Sequence, residues 1–287
     1  MSLNPAEWFT EIYENGTAFS VRYTEKLVDQ SSEFQTVEIF DTEVMGRVLI
    51  LNGCFMVTEK DSFIYHEMLT HPAMSVVVNP KKALVIGGGD GGVVTELVKY
   101  PGLESITLCE IDPLVISSCR EQFPGISAGL SDPRVQVVCR DGAVYVSQFD
   151  KEFDLVLVDS TDPVGPGVAL FQISFYEAIK RSLKRGGAAV FQTESPLFME
   201  KVFANSVTDL RKVFGEKSAT PYLATIPSYP GGLWSFTFCS ATVDPVKRAP
   251  AALDAGLQAR LNYYSPHVHT AAFALPVFAK KMLERAG

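Results

Sequence analysis

The 287-residue chain has few of the residues that build metal centres or disulfide frameworks. Its five cysteines, Cys54, Cys109, Cys119, Cys139 and Cys239, are odd in number, scattered, and never spaced C-x-x-C. Several lie in apolar strand patterns, where a thiol acts as a small core hydrophobe. The four histidines do not cluster with them. Neither a disulfide scaffold nor a zinc site is suggested, and no metal is expected. No apolar run reaches membrane-spanning length, so no membrane partner is expected. The first residues show no basic region followed by an apolar stretch, so no signal peptide is expected and the cytoplasm is the expected compartment. Basic residues are also short: 25 against 33 acids, a net charge of −8. That argues against a nucleic-acid partner, which needs a basic face, and is compatible with a cationic substrate. Internal repeats and low-complexity tracts are absent.

What remains is an ordinary globular composition, 47% hydrophobic and 20% charged, long enough for one large domain or a large and a small one. Up to about residue 70 the chain alternates in short β runs: Ala18–Tyr23, Phe34–Phe40, Arg47–Leu51 and, after the tight-turn pair Asn52-Gly53, Cys54–Val57. A helical pattern follows from Ser62 to about Met74, with Pro72 expected as a late kink or exit. From Lys82 strands and helices alternate. Strands are expected at 83–86, 105–110, 135–138, 154–158 and 188–193, and helices near 93–100, 113–123, 171–183 and 197–214. Segments near 218–226 and 234–240 are expected to close the sheet as an antiparallel pair. The pattern predicts an α/β fold, a Rossmann-like doubly wound sheet with a small N-terminal antiparallel β-domain. The expected division is 1–78 for the β-rich domain and 79–287 for the Rossmann-like catalytic domain.

Residues 83–92, Ala-Leu-Val-Ile-Gly-Gly-Gly-Asp-Gly-Gly, join a buried strand to a helix through a glycine turn, as in nucleotide-binding corners. Asp90 makes this copy unusual, because a carboxylate there repels phosphate. The corner therefore points to an adenosine-like ligand with a cationic arm. Ligands of open α/β sheets bind beyond the carboxyl ends of the strands. Those ends carry Gly87 to Asp90, then Glu110, Asp141-Gly142 and Asp159, with Asp162 three residues later. Glu110, 23 residues after Gly87, sits where an acid takes a ribose diol. Asp141 is a candidate partner for an adenine amine, although an Asp-Gly pair alone is usually only a turn. Five converging carboxylates raise one another's pKa unless a cation sits among them, either a metal or an organic polycation. An organic diamine suits the nucleoside corner better. The Gly- and Pro-rich stretch 160–171 is a candidate lid.

These stretches resemble the spermidine synthases, the polyamine aminopropyltransferases. The matching residues are Gly87–Gly92, Tyr65-His66-Glu67, Glu110-Ile111-Asp112, Asp141-Gly142, Asp159–Pro163 with Gly165-Pro166, Pro227–Gly231, and the C-terminal Tyr263-Tyr264, His267, His269 and Ala274–Pro276. The resemblance runs nearly end to end. It implies transfer of an aminopropyl group from decarboxylated S-adenosylmethionine, a co-substrate, to a diamine, commonly putrescine, with no metal or other cofactor, in a homodimer or homotetramer. By position it implies that Glu110 holds the ribose, that Asp141 takes the adenine amine, and that Gln35 and Pro166 line the nucleoside pocket. Asp90 would bind the aminopropyl ammonium and Asp159 would act as base. Asp162, Tyr65, His66, Gln192 and Tyr229 would surround the diamine, with Trp8 at its far end. The chain departs from the family's common pattern at Asn52, Met56 and Ser62, where aspartate, glutamine and glutamate are frequent, which leaves the acceptor amine open. His267 and His269 are expected to serve packing or a subunit contact. Two rivals stay open: an N-methyltransferase acting on a diamine, and a non-catalytic polyamine-binding protein.

Overall fold

A computed structural model describes residues 7–13, 16–163 and 165–286. The N-terminal part is a five-stranded antiparallel sheet of β1 (Trp8–Ile12), β2 (Ala18–Ser31), β3 (Thr36–Thr42), β4 (Gly46–Leu51) and β5 (Cys54–Thr58), paired in sequence order. The alternating runs anticipate β2 to β5; β1 is additional, and β2 extends well past Tyr23. One face of this sheet buries Val21, Phe40, Val48, Ile50 and Phe55 in a small core of its own.

Helix α1 (Ser62–Val76) follows. It does not exit at Pro72 but runs through it to Val76. Proline there cannot donate to the carbonyl four residues earlier, a loss worth about 3 kcal/mol in a helix interior. That carbonyl, on Met68, instead accepts from the buried Tyr222 hydroxyl at 2.6 Å. A tertiary partner thus keeps the helix whole.

Then come β6 (Lys82–Gly87), α2 (Gly92–Leu97), β7 (Ser105–Glu110), α3 (Pro113–Gln122), β8 (Val135–Cys139), α4 (Gly142–Val146), β9 (Phe153–Asp159), α5 (Ile173–Ser182), β10 (Leu183–Gln192), α6 (Glu200–Phe214), β11 (Ala219–Thr225) and β12 (Leu233–Cys239). The chain ends in α7 (Ala255–Gln258), α8 (Pro266–Ala272) and α9 (Val277–Ala286). The seven-stranded sheet has the order β11-β12-β10-β9-β6-β7-β8. Five neighbouring strands, β10, β9, β6, β7 and β8, are parallel, and β11 and β12 form the expected antiparallel pair. Cores on its two faces bury near-continuous apolar strands such as Leu84–Ile86 and Leu155–Val158. Helix α1 packs in the first of these cores.

The C-terminal segment is tied to α1. Glu67, fully buried, accepts the backbone N–H groups of Asn262, Tyr263 and Tyr264 at 2.7–2.9 Å. The Tyr264 hydroxyl meets Ser75 and His269, and His269 Nε2 reaches the Pro245 carbonyl. His269 is a packing residue, whereas His267 is exposed. Among the described residues no helix is long and apolar enough to cross a membrane.

Candidate active site

All five parallel strands end in an acid or lead to one within a few residues. Asp90 follows β6, Glu110 ends β7, Asp141 follows β8, Asp159 ends β9 and Glu194 follows β10. They line one cavity, with α1 and the N-terminal sheet as its other walls. The strand-end rule, applied one strand further, finds Glu194. Its backbone holds a φ of +68°, costly for a residue with a Cβ, and its side chain is fully buried with Oε2 unpartnered.

The glycine turn lets the carboxylates come close. Gly87 and Gly88 have φ of +77° and +68°, and a Cβ on Gly88 would lie 2.4 Å from Asp159 Oδ2. Asp90 then turns back, its Oδ1 accepting the Gly92 N–H at 2.6 Å and lying 3.1 Å from His66 Nε2. Burial works against ionisation of Asp90, but His66 and the backbone donors outweigh it and hold its pKa low. Asp159 has the opposite balance. Burial and the neighbouring Asp90 push its pKa up to about 7, and Oδ2 has no partner. The Tyr65 hydroxyl faces it.

At the end of β7, Glu110 is buried, with Oε1 accepting the Asp112 N–H at 2.9 Å, and burial raises its pKa to about 7. Gln35 donates its amide to Asp112 at 3.1 Å, which aligns it on the cavity wall. Asp141 spends Oδ1 on the N-cap of α4, accepting from Ala143 and Val144, a role the bare Asp-Gly pair did not reveal. Gly142 permits this, since a Cβ there would fall 2.3 Å from Ile86. Pro166 lies in the 3₁₀ turn Gly165–Phe171, and Gly167 and Leu170 of that turn line the cavity.

At the other end the placements differ from expectation. Gln192 lines the cavity, but its amide is committed to Ser160 and Glu194. It therefore shapes the loop after Asp159 and offers no free donor. The Tyr229 hydroxyl donates to the Met56 carbonyl at 2.8 Å, leaving the ring face, 5.8 Å from Tyr65 and 4.6 Å from Trp234, as the surface it presents. Trp8 is not among the lining residues. Side chains alternate along a strand, and Phe9 and Glu11 take the inward face of β1, with Phe9 packed on Phe55. Glu11 and Tyr13 line the cavity from this part of the chain, and neither stood out in sequence because β1 itself was not anticipated. Glu11, Asp162 and Glu194 form a distal acidic end whose pKa values are all raised, burial being the largest cause. Met56 and Ser62, two of the departures from the common pattern, also line the cavity.

Among the described residues the cavity wall holds eight carboxyl groups, no lysine or arginine, and one basic side chain, His66. Among the described residues no group of three His, Cys, Asp or Glu side chains is arranged to hold a metal ion. The acidic excess strains the empty protein. Since raised carboxyl pKa values mean that the folded state binds extra protons, their effect on stability worsens as pH climbs from about 4 to beyond 7. Glu194→Gln replaces one of two facing carboxyls by an amide that can donate to Asp162. The expected result is a melting temperature at pH 7.5 raised by about 2–4 °C per ~1 kcal/mol recovered, with a smaller gain at pH 5. Calorimetry at the two pH values checks it.

Comparison with known proteins gives the class. Residues 62–248 match the Spermine/spermidine synthase domain and residues 7–59 the Spermidine synthase tetramerisation domain. A polyamine aminopropyltransferase of Moorella thermoacetica is 43% identical over 281 residues, covering 96% of each chain. One of Thermoanaerobacter sp. is 43% identical, covering 96% of this chain and 98% of its own. Among solved structures, a spermidine synthase in complex with the transition-state analogue AdoDATO superposes with a TM-score of 0.92 at 39% identity, covering 99% of this chain and 97% of that one. The spermidine synthase of Thermotoga maritima gives 0.90 at 38% identity, covering 99% and 96%. The chain belongs to the spermine/spermidine synthase family and is an enzyme of the aminopropyltransferase class.

Proposed function

We propose that the enzyme is a spermidine synthase, moving the aminopropyl group of decarboxylated S-adenosylmethionine to putrescine and yielding spermidine and methylthioadenosine. The observation that carries this reading is a cavity lined, among the described residues, by eight carboxyl groups and one basic side chain, the complement of a sulfonium nucleoside and a diamine. Glu110, Gln35 and Asp141, with Gly142 and Pro166, take the nucleoside. Asp90 takes the ammonium of the donor's arm. That position also disfavours intact S-adenosylmethionine, whose carboxylate would meet like charge. Tyr65, Tyr229 and Trp234 flank the diamine's carbon chain with ring faces, and Glu11, Asp162 and Glu194 receive its far ammonium.

The reaction is an in-line displacement at the carbon beside the sulfonium. The amine lone pair forms the new C–N bond as the C–S bond breaks, and its electrons leave on a neutral thioether. Expelling that group needs no acid, and no metal or cofactor enters. The nucleophile is the difficulty, because an alkyl ammonium of pKa about 10.4 has no lone pair. Asp159, with an unpartnered oxygen and a pKa of about 7, accepts the proton and passes it to solvent. Alignment of amine, carbon and sulfur supplies the remainder. The match of residues 7–59 to a tetramerisation domain supports a homo-oligomer, dimer or tetramer. The acidic composition supports a cytoplasmic enzyme without a nucleic-acid partner.

An acceptor screen tests the reading. With the decarboxylated donor, putrescine should release stoichiometric methylthioadenosine and spermidine, faster than cadaverine, agmatine or spermidine as acceptors. Release of methylthioadenosine with none of these amines would sink it.

A further inference from the structure

The substrate-free cavity poses a question of charge. Among the described residues eight carboxyl groups surround it, and His66 is the only basic side chain in its wall. The imidazole is placed to act as a cation. Nε2 lies 3.1 Å from Asp90 Oδ1, and both side chains are almost wholly buried. The ring rests flat on the start of α2, for a Cβ on Gly92 would come within 2.1 Å of Cε1. Tyr65 closes another side edge-on at 5.8 Å between ring centroids. The ring therefore cannot swing away from Asp90 toward α2 or toward Tyr65.

The charged groups that face His66 are Asp90 on the glycine turn, Asp159 at the end of β9 and Glu96 on α2, with the neutral Tyr65 hydroxyl on its own helix. Burial alone would deprotonate the imidazole. The three carboxylates, Asp90 foremost, outweigh it and raise the pKa above the usual histidine value. The 3.1 Å contact of Nε2 with Asp90 and these neighbouring carboxylates together favour the imidazolium over the neutral ring, more than for a histidine in water.

We propose that imidazolium His66 is the resident counter-ion of Asp90, and that the donor's ammonium arm takes its place, so that donor binding expels one proton from the imidazole. This rests on the assignment of the donor under the proposed function. The balance is simple: protonated enzyme plus dicationic donor gives the complex and one proton, and no covalent bond changes. After transfer, methylthioadenosine carries no charge, spermidine leaves, and the imidazole regains its proton. His66 keeps the charge beside Asp90 nearly constant through the cycle. Since proton and ammonium compete for one carboxylate, donor affinity falls as pH drops below the His66 pKa, whereas methylthioadenosine affinity is insensitive to this group.

Isothermal titration calorimetry in buffers of different ionisation enthalpy counts the protons. At pH 6 the wild-type enzyme should release protons on binding decarboxylated S-adenosylmethionine beyond any released by methylthioadenosine, which corrects for groups such as Glu110. His66→Gln should bind both ligands and release fewer, keeping only what Asp159 contributes. Asp159→Asn removes the other titrating group beside the arm and should keep the excess due to His66. An excess as large in His66→Gln as in the wild type, or one that vanishes in Asp159→Asn, overturns the assignment to His66. Should His66→Gln fail to bind methylthioadenosine and so prove misfolded, the wild-type and Asp159→Asn counts still decide: no excess in either contradicts the proposal. A donor that binds without excess release defeats this inference alone. A donor that fails to bind while methylthioadenosine binds defeats the functional reading as well.

Discussion

Asp159→Asn is expected to lower kcat by about 10²–10⁴-fold, the range of a positioned general base, while methylthioadenosine binds with near wild-type affinity. The asparagine keeps the shape that Gly88 accommodates, so the glycine turn and the nucleoside corner are not disturbed. It removes the group whose unpartnered oxygen faces the cavity. The pH profile gives an independent signature. A base must be deprotonated to act, so wild-type kcat should rise with pH through about 7, where burial and Asp90 place the Asp159 pKa. In Asp159→Asn that limb should flatten, leaving only the slow increase from free amine in solution. Because the buried carboxylate is a burden on the empty protein, the variant should also melt no lower than the wild type. Stopped assays of methylthioadenosine release from pH 5.5 to 9 check the profile. Turnover within a few-fold of wild type would remove Asp159 as the base.

Gly88→Ala should be nearly as damaging although it adds one methyl group and changes no charge. The backbone at Gly88 has a φ of +68°, and its new Cβ would sit 2.4 Å from Asp159 Oδ2 and 3.1 Å from Cγ. Asp159 ends a buried strand, so it can yield only by moving the carboxylate. A misplacement of about 1 Å at the reacting groups costs around 10²-fold in rate. The expected outcome is kcat lower by at least ~10²-fold in a protein that still folds, with the far-ultraviolet dichroism of the wild type. Gly102→Ala is the control, because a Cβ there meets nothing within 4 Å. Equal activity of both variants would show that the close approach at Gly88 does not matter to catalysis.

Much of this was readable from sequence because parallel strands buried on both faces are apolar until they end. An acid at the end of such a strand, or in the turn just beyond it, therefore announces a crevice residue, and Asp90, Glu110 and Asp159 were found in this way. The Asp112-Pro113 pair is a readable helix start, and the structure shows Asp112 capping α3 by accepting the Leu114 N–H. The misses share a cause: contacts between segments far apart in the chain. Pro72 suggests a helix exit until Tyr222, 150 residues later, caps the orphaned Met68 carbonyl. Gln192 and Tyr229 line the cavity as expected, but sequence did not show that their polar atoms are spent on Glu194, Ser160 and Met56. Trp8 was a plausible wall, and only the register of β1 against β2 shows that Glu11 faces inward instead. Helix α4 hid behind the Asp141-Gly142 turn because its five residues give too short a pattern.

Presenting the two donors side by side tests the account most directly. The enzyme is incubated with putrescine and either decarboxylated or intact S-adenosylmethionine, and the amine and nucleoside products are quantified by mass spectrometry. The account predicts spermidine and methylthioadenosine in equal amounts from the decarboxylated donor, and essentially no transfer from the intact one, whose carboxylate Asp90 repels. Methylputrescine from the intact donor, with no spermidine from the decarboxylated one, would contradict it.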